Sequence, residues 1–303
     1  MKKIAVTTTS FAKDDTTPID ILRKGGFQTI LNKSGRKLSR EETLALCTGC
    51  AGIVAGTESY DKGLLVKLTG LRAISRCGVG MENIDLAAAR ELGIEVVNTP
   101  SGPTLAVAKL TVGLMLNLLR RVSEMDKDIR SGRWSKKMGN LLSGKRVGII
   151  GFGRIGQKVA ELLRPFGCVI NYIDITGKDK IAGFRQLLLG QLLKDSDIIS
   201  VHISSAEELI GAQELKQIKR GALLINISRG GVVNEDAIFR ALKDGYLGGA
   251  ALDVFCLEPY NGPLKELENI ILTPHIGSYA SEARVGMEIE AVKNLLERLK
   301  GAI

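Results

Sequence analysis

The 303-residue chain contains two histidines, His202 and His275, so any imidazole chemistry rests on one of them. His275 lies in Thr273-Pro274-His275-Ile276-Gly277-Ser278. Two earlier segments carry residue types that make a chemical set with it. Asn226-Ile227-Ser228-Arg229-Gly230-Gly231 supplies Arg229, and Asp253-Val254-Phe255-Cys256-Leu257-Glu258-Pro259 supplies Glu258. A guanidinium offers a planar fork to a carboxylate. An imidazole exchanges a proton near neutral pH, and a carboxylate close to it favours the imidazolium, against the effect of burial. Together these types suit general acid/base work on an acidic substrate.

A second chemical signal is Gly151-Phe152-Gly153-Arg154-Ile155-Gly156, a G-x-G-x-x-G sequence. It follows an apolar run, Arg146–Ile150, and opens a helical pattern, which is the context a dinucleotide-binding turn requires. Gly151 permits the tight turn, Gly153 removes a side chain where a pyrophosphate approaches, and Gly156 lets helix and strand pack closely. The phosphates then meet N–H groups at the helix start, around Arg154 and Ile155. Eighteen residues after Gly156 stands Asp174, at the expected end of the next strand. A carboxylate there accepts from both ribose hydroxyls and repels a 2′-phosphate, which favours NAD over NADP; Lys178 nearby carries the opposite charge.

These residues need a scaffold, and the chain alternates short apolar runs with amphipathic stretches almost throughout. That rhythm predicts βαβ units and parallel sheets covered on both faces. In the first hundred residues the expected strands are Ile4–Thr7, Gly52–Ala55, Ala73–Ser75 and Val96–Asn98, with helices at Ser39–Leu46 and Leu86–Leu92. Ser39 with Glu42 three residues later has the form of a capping box. A long helix from Thr104 to Arg121 is apolar on nearly every side and is expected to be buried between two bodies of the protein. The segment Arg120–Arg146 reads as an irregular arm. From Lys145 a second series predicts strands at Arg146–Ile150, Cys168–Ile173, Ile198–Ile203, Ala222–Ile227, Ala250–Val254 and Ile270–Leu272. Its helices are expected near Ile155–Phe166, Glu214–Ile218, Glu235–Asp244 and Glu282–Leu299. Six strands separated by helices match a doubly wound nucleotide-binding domain, and the three segments of the chemical set fall at strand carboxyl ends, where such sheets bind ligands.

Composition narrows the classes further. Forty-two basic against 33 acidic residues give a net charge of +9, and 9 − 3 = +6 of it lies in Arg120–Arg146. That stretch has one aromatic, Trp134, and no nucleic-acid reader motif, so a solvated arm or subunit contact that helps steer anionic substrates is expected, and no nucleic-acid partner. Five cysteines, an odd number, argue against a disulfide framework and for a reducing, cytoplasmic compartment. Cys47-Thr48-Gly49-Cys50 lacks a second pair of ligands for a metal. Leu105–Leu119 is interrupted by Lys109, Thr111 and Asn117, so no membrane span is expected.

The chain resembles the D-isomer-specific 2-hydroxyacid dehydrogenases, and within them the D-3-phosphoglycerate dehydrogenases. The resemblance rests on Leu142–Ile150 leading into the glycine turn, on Arg229-Gly230-Gly231, Glu258-Pro259 and Pro274-His275-Ile276-Gly277-Ser278, on Gly78-Val79-Gly80 with Asn83-Ile84-Asp85, and on Asn98-Thr99-Pro100. It implies hydride transfer between C2 of a 2-hydroxy or 2-keto acid and the nicotinamide of NAD, with 3-phosphoglycerate or a similar small acid as substrate. Arg229 is then expected to bind the substrate carboxylate and polarise the carbonyl, His275 to carry the proton, and Glu258 to orient and tune His275. Backbone N–H groups of Val79 and Gly80 are expected to hold the carboxylate. Gly151, Gly153, Arg154, Ile155, Gly156, Asp174, Ile227, Ser228, Arg229, Asp253, His275 and Gly277 are expected around the cofactor.

The same resemblance implies an α/β architecture of two Rossmann-like or flavodoxin-like lobes with doubly wound parallel sheets and an interlobe cleft. The substrate-binding lobe is expected to comprise 1–98 and 277–303, the NAD-binding domain 99–276, and the assembly a homodimer through an arm near Arg120–Arg146. Some positions depart from the family pattern. Glu82 replaces a usual Asp, Lys109 a usual acid, and Ile203–Glu208 is short and lacks a common proline. The Ala55-Gly56-Thr57-Glu58 segment lacks the Arg that phosphoglycerate enzymes often place there, and Arg36, Lys37 and Arg40 are the nearby cations. The chain ends at Ile303, directly after the core, so feedback through a carboxyl-terminal serine-sensing domain is not expected. Glu258 stands where formate dehydrogenases carry Gln, which disfavours formate oxidation. An NAD-sensing corepressor on the same scaffold is the alternative function class.

Overall fold

A computed structural model describes residues 2–174 and 183–300. Lys178 lies outside the described residues. The chain forms two compact units, Met1–Pro103 with Ser278–Ile303, and Thr104–Gly277. The divisions expected from the sequence fall after 98 and 276.

The first unit runs β1 (Lys3–Val6), α1 (Thr17–Lys24), β2 (Gln28–Leu31), α2 (Arg40–Cys47), β3 (Gly52–Ala55), α3 (Lys62–Leu65), β4 (Ala73–Arg76), α4 (Leu86–Glu91) and β5 (Glu95–Asn98). Its five strands are parallel in the order β2-β1-β3-β4-β5, a flavodoxin-like winding. Successive side chains bury on opposite faces. Ile4, Val6 and Val54 enter one apolar cluster, and Ala5, Ile53 and Ala55 enter the other. The capping box is present: Ser39 Oγ accepts from Glu42 N–H, and the Glu42 carboxylate accepts from Ser39 N–H. The last helix, numbered below, returns the chain to this unit.

The second unit opens with α5 (Pro103–Arg120) and α6 (Val122–Arg130), followed by β6 (Arg146–Ile150), α7 (Arg154–Leu163), β7 (Val169–Ile173) and β8 (Arg185–Gln186). It continues through α8 (Leu189–Asp195), β9 (Ile198–Val201), α9 (Ala212–Leu215), β10 (Leu223–Asn226), α10 (Glu235–Lys243), β11 (Gly249–Leu252) and β12 (Ile270–Leu272). The chain then re-enters the first unit as α11 (Ser281–Lys300), which packs Met287, Ala291, Val292, Leu295 and Leu299 against the β1 and β3 side chains Ile4, Val6 and Val54. The seven-stranded sheet is wholly parallel, in the order β12-β11-β10-β9-β6-β7-β8. That is the doubly wound dinucleotide-binding order with one added strand. The winding reverses between β6 and β9, the switch point at which such sheets bind ligands.

Several expectations need correction. Helix α5 is not buried all round. Val107, Ala108, Thr111, Val112, Leu114, Met115 and Leu119 are buried, while Leu105, Lys109 and Gly113 are exposed, because only one stripe meets the core. The supposed irregular arm begins as α6, stabilised by Arg121–Glu124 and Arg130–Asp126 pairs one turn apart. Irregular backbone starts only after Ser131. The seventh strand, β8, is two residues long and carries no sequence signal.

Candidate active site

The three segments of the chemical set follow three adjacent strands, β10, β11 and β12. Each turn is locked to the next. The 229–231 turn lies so close to the loop after β11 that a Cβ on Gly230 would sit 1.9 Å from Phe255 O. Only glycine permits that approach. Asn226, at the end of β10, forms an Asx turn. Its Oδ1 accepts from Ser228 N–H and Oγ–H, at 3.0 and 2.7 Å, and its Nδ2 donates to Arg229 O at 3.0 Å. Arg229 Nη1 donates to Ser228 O at 2.8 Å. Ser228 is therefore a support for Arg229, its amide and hydroxyl both engaged, and Ile227 is buried beside it.

Asp253, fully buried after β11, braces the turn beyond β12. Its Oδ1 accepts from Thr273 Oγ–H at 2.6 Å and Ile276 N–H at 2.8 Å, and its Oδ2 accepts from Gly277 N–H at 2.8 Å. The residue expected beside the nicotinamide thus has a bracing role too. The turn it holds carries His275 in the left-handed region, at φ 54°. His275 Nδ1 lies 2.9 Å from Glu258 Oε2, while Glu258 Oε1 accepts from Phe255 N–H at 3.1 Å. His275 is exposed, and with Nδ1 directed at the carboxylate, Nε2 is the nitrogen left to face a substrate.

The other histidine, His202, just beyond β9, has a different setting. Its Nε2 lies 2.8 Å from Ser200 Oγ, and among the described residues its buried Nδ1 has no partner. Burial pushes its pKa down to about 4, so it is neutral at ordinary pH. Cys47 and Cys50 are buried in the first unit, and burial pushes the Cys47 thiol up to about 12, far from thiolate chemistry.

The glycine turn leaves β6 at the switch point. Gly151 has φ +88°, and a Cβ there would lie 2.7 Å from His202 O. A Cβ on Gly156 would be 2.2 Å from Gly151 O, so α7 packs directly onto the turn. A Cβ on Gly153 would meet nothing within 4 Å, which leaves open space beside a helix start that no side chain caps. The first-turn N–H groups at Arg154 and Ile155 face that space without intrahelical partners. Asp174 Oδ2 accepts from Phe152 N–H at 2.7 Å, tying the end of β7 to the turn. A dinucleotide pyrophosphate fits this cradle.

Val79 and Gly80 belong to the first unit, in the loop after β4. Among the described residues neither amide N–H has a hydrogen-bond partner. Sequence reasoning singled out neither Asn226 nor Thr273 as a support. The available signal was an Asn two residues ahead of a Ser, the spacing of an Asx turn.

A wholly parallel doubly wound sheet with a glycine turn at its switch point is the architecture of a dinucleotide-binding domain. Residues 112–277 match the D-isomer specific 2-hydroxyacid dehydrogenase, NAD binding domain. The chain is 43% identical over 263 residues to a glyoxylate reductase of Thermococcus litoralis, covering 82% of this chain and 80% of that protein. It is 34% identical over 294 residues to a D-3-phosphoglycerate dehydrogenase of Archaeoglobus fulgidus, covering 93% of this chain but 55% of that protein. The TT0316 protein of Thermus thermophilus superposes with a TM-score of 0.92 at 35% identity, over 99% of this chain and 97% of that one. The chain belongs to the D-isomer-specific 2-hydroxyacid dehydrogenase family, and its second unit is the family's NAD-binding domain.

Proposed function

We propose that the protein interconverts a short 2-hydroxy acid and its 2-oxo acid with NAD, with glyoxylate as the leading oxo acid. The observation that carries this reading is the His275–Glu258 pair on its braced turn. Bound NAD supplies the redox chemistry at its nicotinamide. The protein's residues do the rest. Arg229, fixed through Asn226, takes the substrate carboxylate and polarises the adjoining carbonyl. In reduction His275 Nε2–H protonates the developing alkoxide, and in oxidation neutral Nε2 takes the hydroxyl proton. Glu258 holds the ring through Nδ1, leaving Nε2 for the substrate. The amides of Val79 and Gly80 supply further carboxylate donors.

The similarity to the T. litoralis glyoxylate reductase favours glyoxylate, and that to the A. fulgidus D-3-phosphoglycerate dehydrogenase supports 3-phosphoglycerate as the second reading. Asp174 supports NAD over NADP. Trp134, Met138 and Leu141 are all strongly exposed in one segment, which supports a homodimer through it. Among the described residues no helix is long and apolar enough to cross a membrane, and the five free cysteines support a cytoplasmic setting.

The test is oxidation of NADH, and of NADPH beside it, with glyoxylate, hydroxypyruvate, pyruvate, 3-phosphohydroxypyruvate and longer 2-keto acids. Turnover with glyoxylate above the others supports the leading substrate, and preference for 3-phosphohydroxypyruvate supports the second. No turnover with any of them overturns the enzyme reading in favour of an NAD-sensing role.

A further inference from the structure

Two residues outside the mechanism above, Asn98 and Thr99, hold the loop that carries Val79 and Gly80. Strands β4 and β5 pair with Arg76 opposite Asn98, so the two chain segments leave the sheet side by side. Thr99 is fully buried. Its Oγ1 accepts from Gly78 N–H at 2.7 Å, and its own N–H donates to Gly78 O at 3.1 Å. One residue further, Asn98 Nδ2 donates to Val79 O at 2.7 Å. Asn98 is itself tied to α11, whose Asn294 Nδ2 donates to Asn98 O at 3.1 Å. Gly78 has φ +145°, a backbone conformation that L side chains rarely adopt, so the loop turns at a position that favours glycine.

Four contacts thus fix the carbonyls and the amide of Gly78 and Val79, the fourth being Gly78 N–H to Arg76 O at 3.0 Å. The next donors, the N–H groups of Val79 and Gly80, are left pointing from a held backbone with no partner among the described residues. Donors held in place need no reorganisation when an anion arrives, which is where such groups gain their strength.

We propose that Thr99, assisted by Asn98, is a positioning residue that presets the Val79 and Gly80 amides for the substrate carboxylate. The proposal rests on the function argued above, in which those amides bind that carboxylate. Thr99 touches neither substrate nor cofactor. Its loss is felt in substrate binding more than in turnover, and not in binding of NADH.

The test uses the full chain with NADH bound and oxamate, an unreactive mimic of a short 2-keto acid, as probe. Replacing Thr99→Val keeps the shape and removes the acceptor. The expected outcome is a rise of about tenfold in the oxamate dissociation constant, the scale of one lost hydrogen bond. The KM of the best keto acid rises in step, while kcat and the NADH dissociation constant stay within about threefold of wild type. Thr99→Ser, which restores the acceptor, recovers oxamate binding. Oxamate binding by Thr99→Val equal to wild type overturns the proposal, as does a serine variant no better than valine. If Thr99→Val does not fold, Asn98→Ala decides, with about threefold weaker oxamate binding expected and unchanged binding overturning the idea. Wild-type turnover of a 2-keto acid alongside unaffected variants removes the clamp alone. Absence of wild-type turnover removes the clamp together with the function beneath it.

Discussion

His202 and His275 stand just beyond strands of the same sheet, β9 and β12, and their surroundings separate them completely. His202 is half-buried with its Nδ1 enclosed, bonded through Nε2 to Ser200, and burial pushes its pKa down to about 4. His275 is exposed, left-handed in its backbone, and joined through Nδ1 to Glu258. The difference lies in what each strand end is tied to. The peptide carrying His202 packs against Gly151 and shapes the cofactor turn. The peptide carrying His275 hangs from Asp253 and presents a ring that can move a proton.

The largest effect that tests this contrast is on turnover. His275→Ala is expected to lower kcat by about a thousandfold, in the range of a lost general acid/base, with NADH binding retained by fluorescence titration. Near-normal kcat in that variant would end the assignment. Next comes the brace. Asp253→Ala frees the turn and is expected to cost about a hundredfold in kcat/KM, because a catalytic group displaced by an ångström loses that much. The variant's kinetics should fall while the His275 ring remains chemically intact, and wild-type kcat/KM would show that the turn holds itself.

The third test falls on His202 and concerns stability. Its native pKa of about 4 lies below the ordinary histidine value of 6.5. Between those values the unfolded chain binds a proton that the native protein refuses, so stability is complete above pH 6.5 and declines as pH falls towards 4. About 2 kcal/mol is expected to be lost from this group between pH 7 and pH 5. Urea unfolding at the two pH values should show it in wild type and show a flatter dependence in His202→Asn. An equal slope in both would remove the burial argument. The smallest effect expected is that of Glu258→Gln, which keeps an acceptor for Nδ1 and removes the charge. A loss of about tenfold in kcat/KM would assign the partner's value to charge as well as orientation, and an unchanged rate would leave orientation alone.

Much of this is readable in the sequence. The runs Arg146–Ile150, Gly52–Ala55 and Ile270–Leu272 are strands over those same residues, because flanking turns and continuous apolar side chains leave no other period. Strand β2, Gln28-Thr29-Ile30-Leu31, escapes notice because it lies at a sheet edge, only partly buried, and mixes polar with apolar residues. Helix α6 is hidden by Gly132 and Gly139, which break the chain only after it. In the site, residue types disclose Arg229, Glu258 and His275, the last two exposed and Arg229 half-buried. Their supports are less legible. A buried Asp, Asn or Thr looks the same in sequence whether it touches a ligand or holds a loop, and the partners of Asp253 and Thr99 are 20 or more residues away.

The position of α11 bears on how the protein is made. The NAD-binding unit is one continuous stretch, Thr104–Gly277, and leaves the ribosome whole. The first unit emerges earlier but lacks one wall. Until residues 281–300 appear, Ile4, Val6, Leu22 and Val54 have no Met287, Val292, Leu295 or Leu299 to cover them. The nascent first unit therefore carries exposed apolar surface through the synthesis of more than half the chain, a window in which chaperone capture or aggregation competes with folding. The order of birth is thus inverted: the lobe translated first closes its core last.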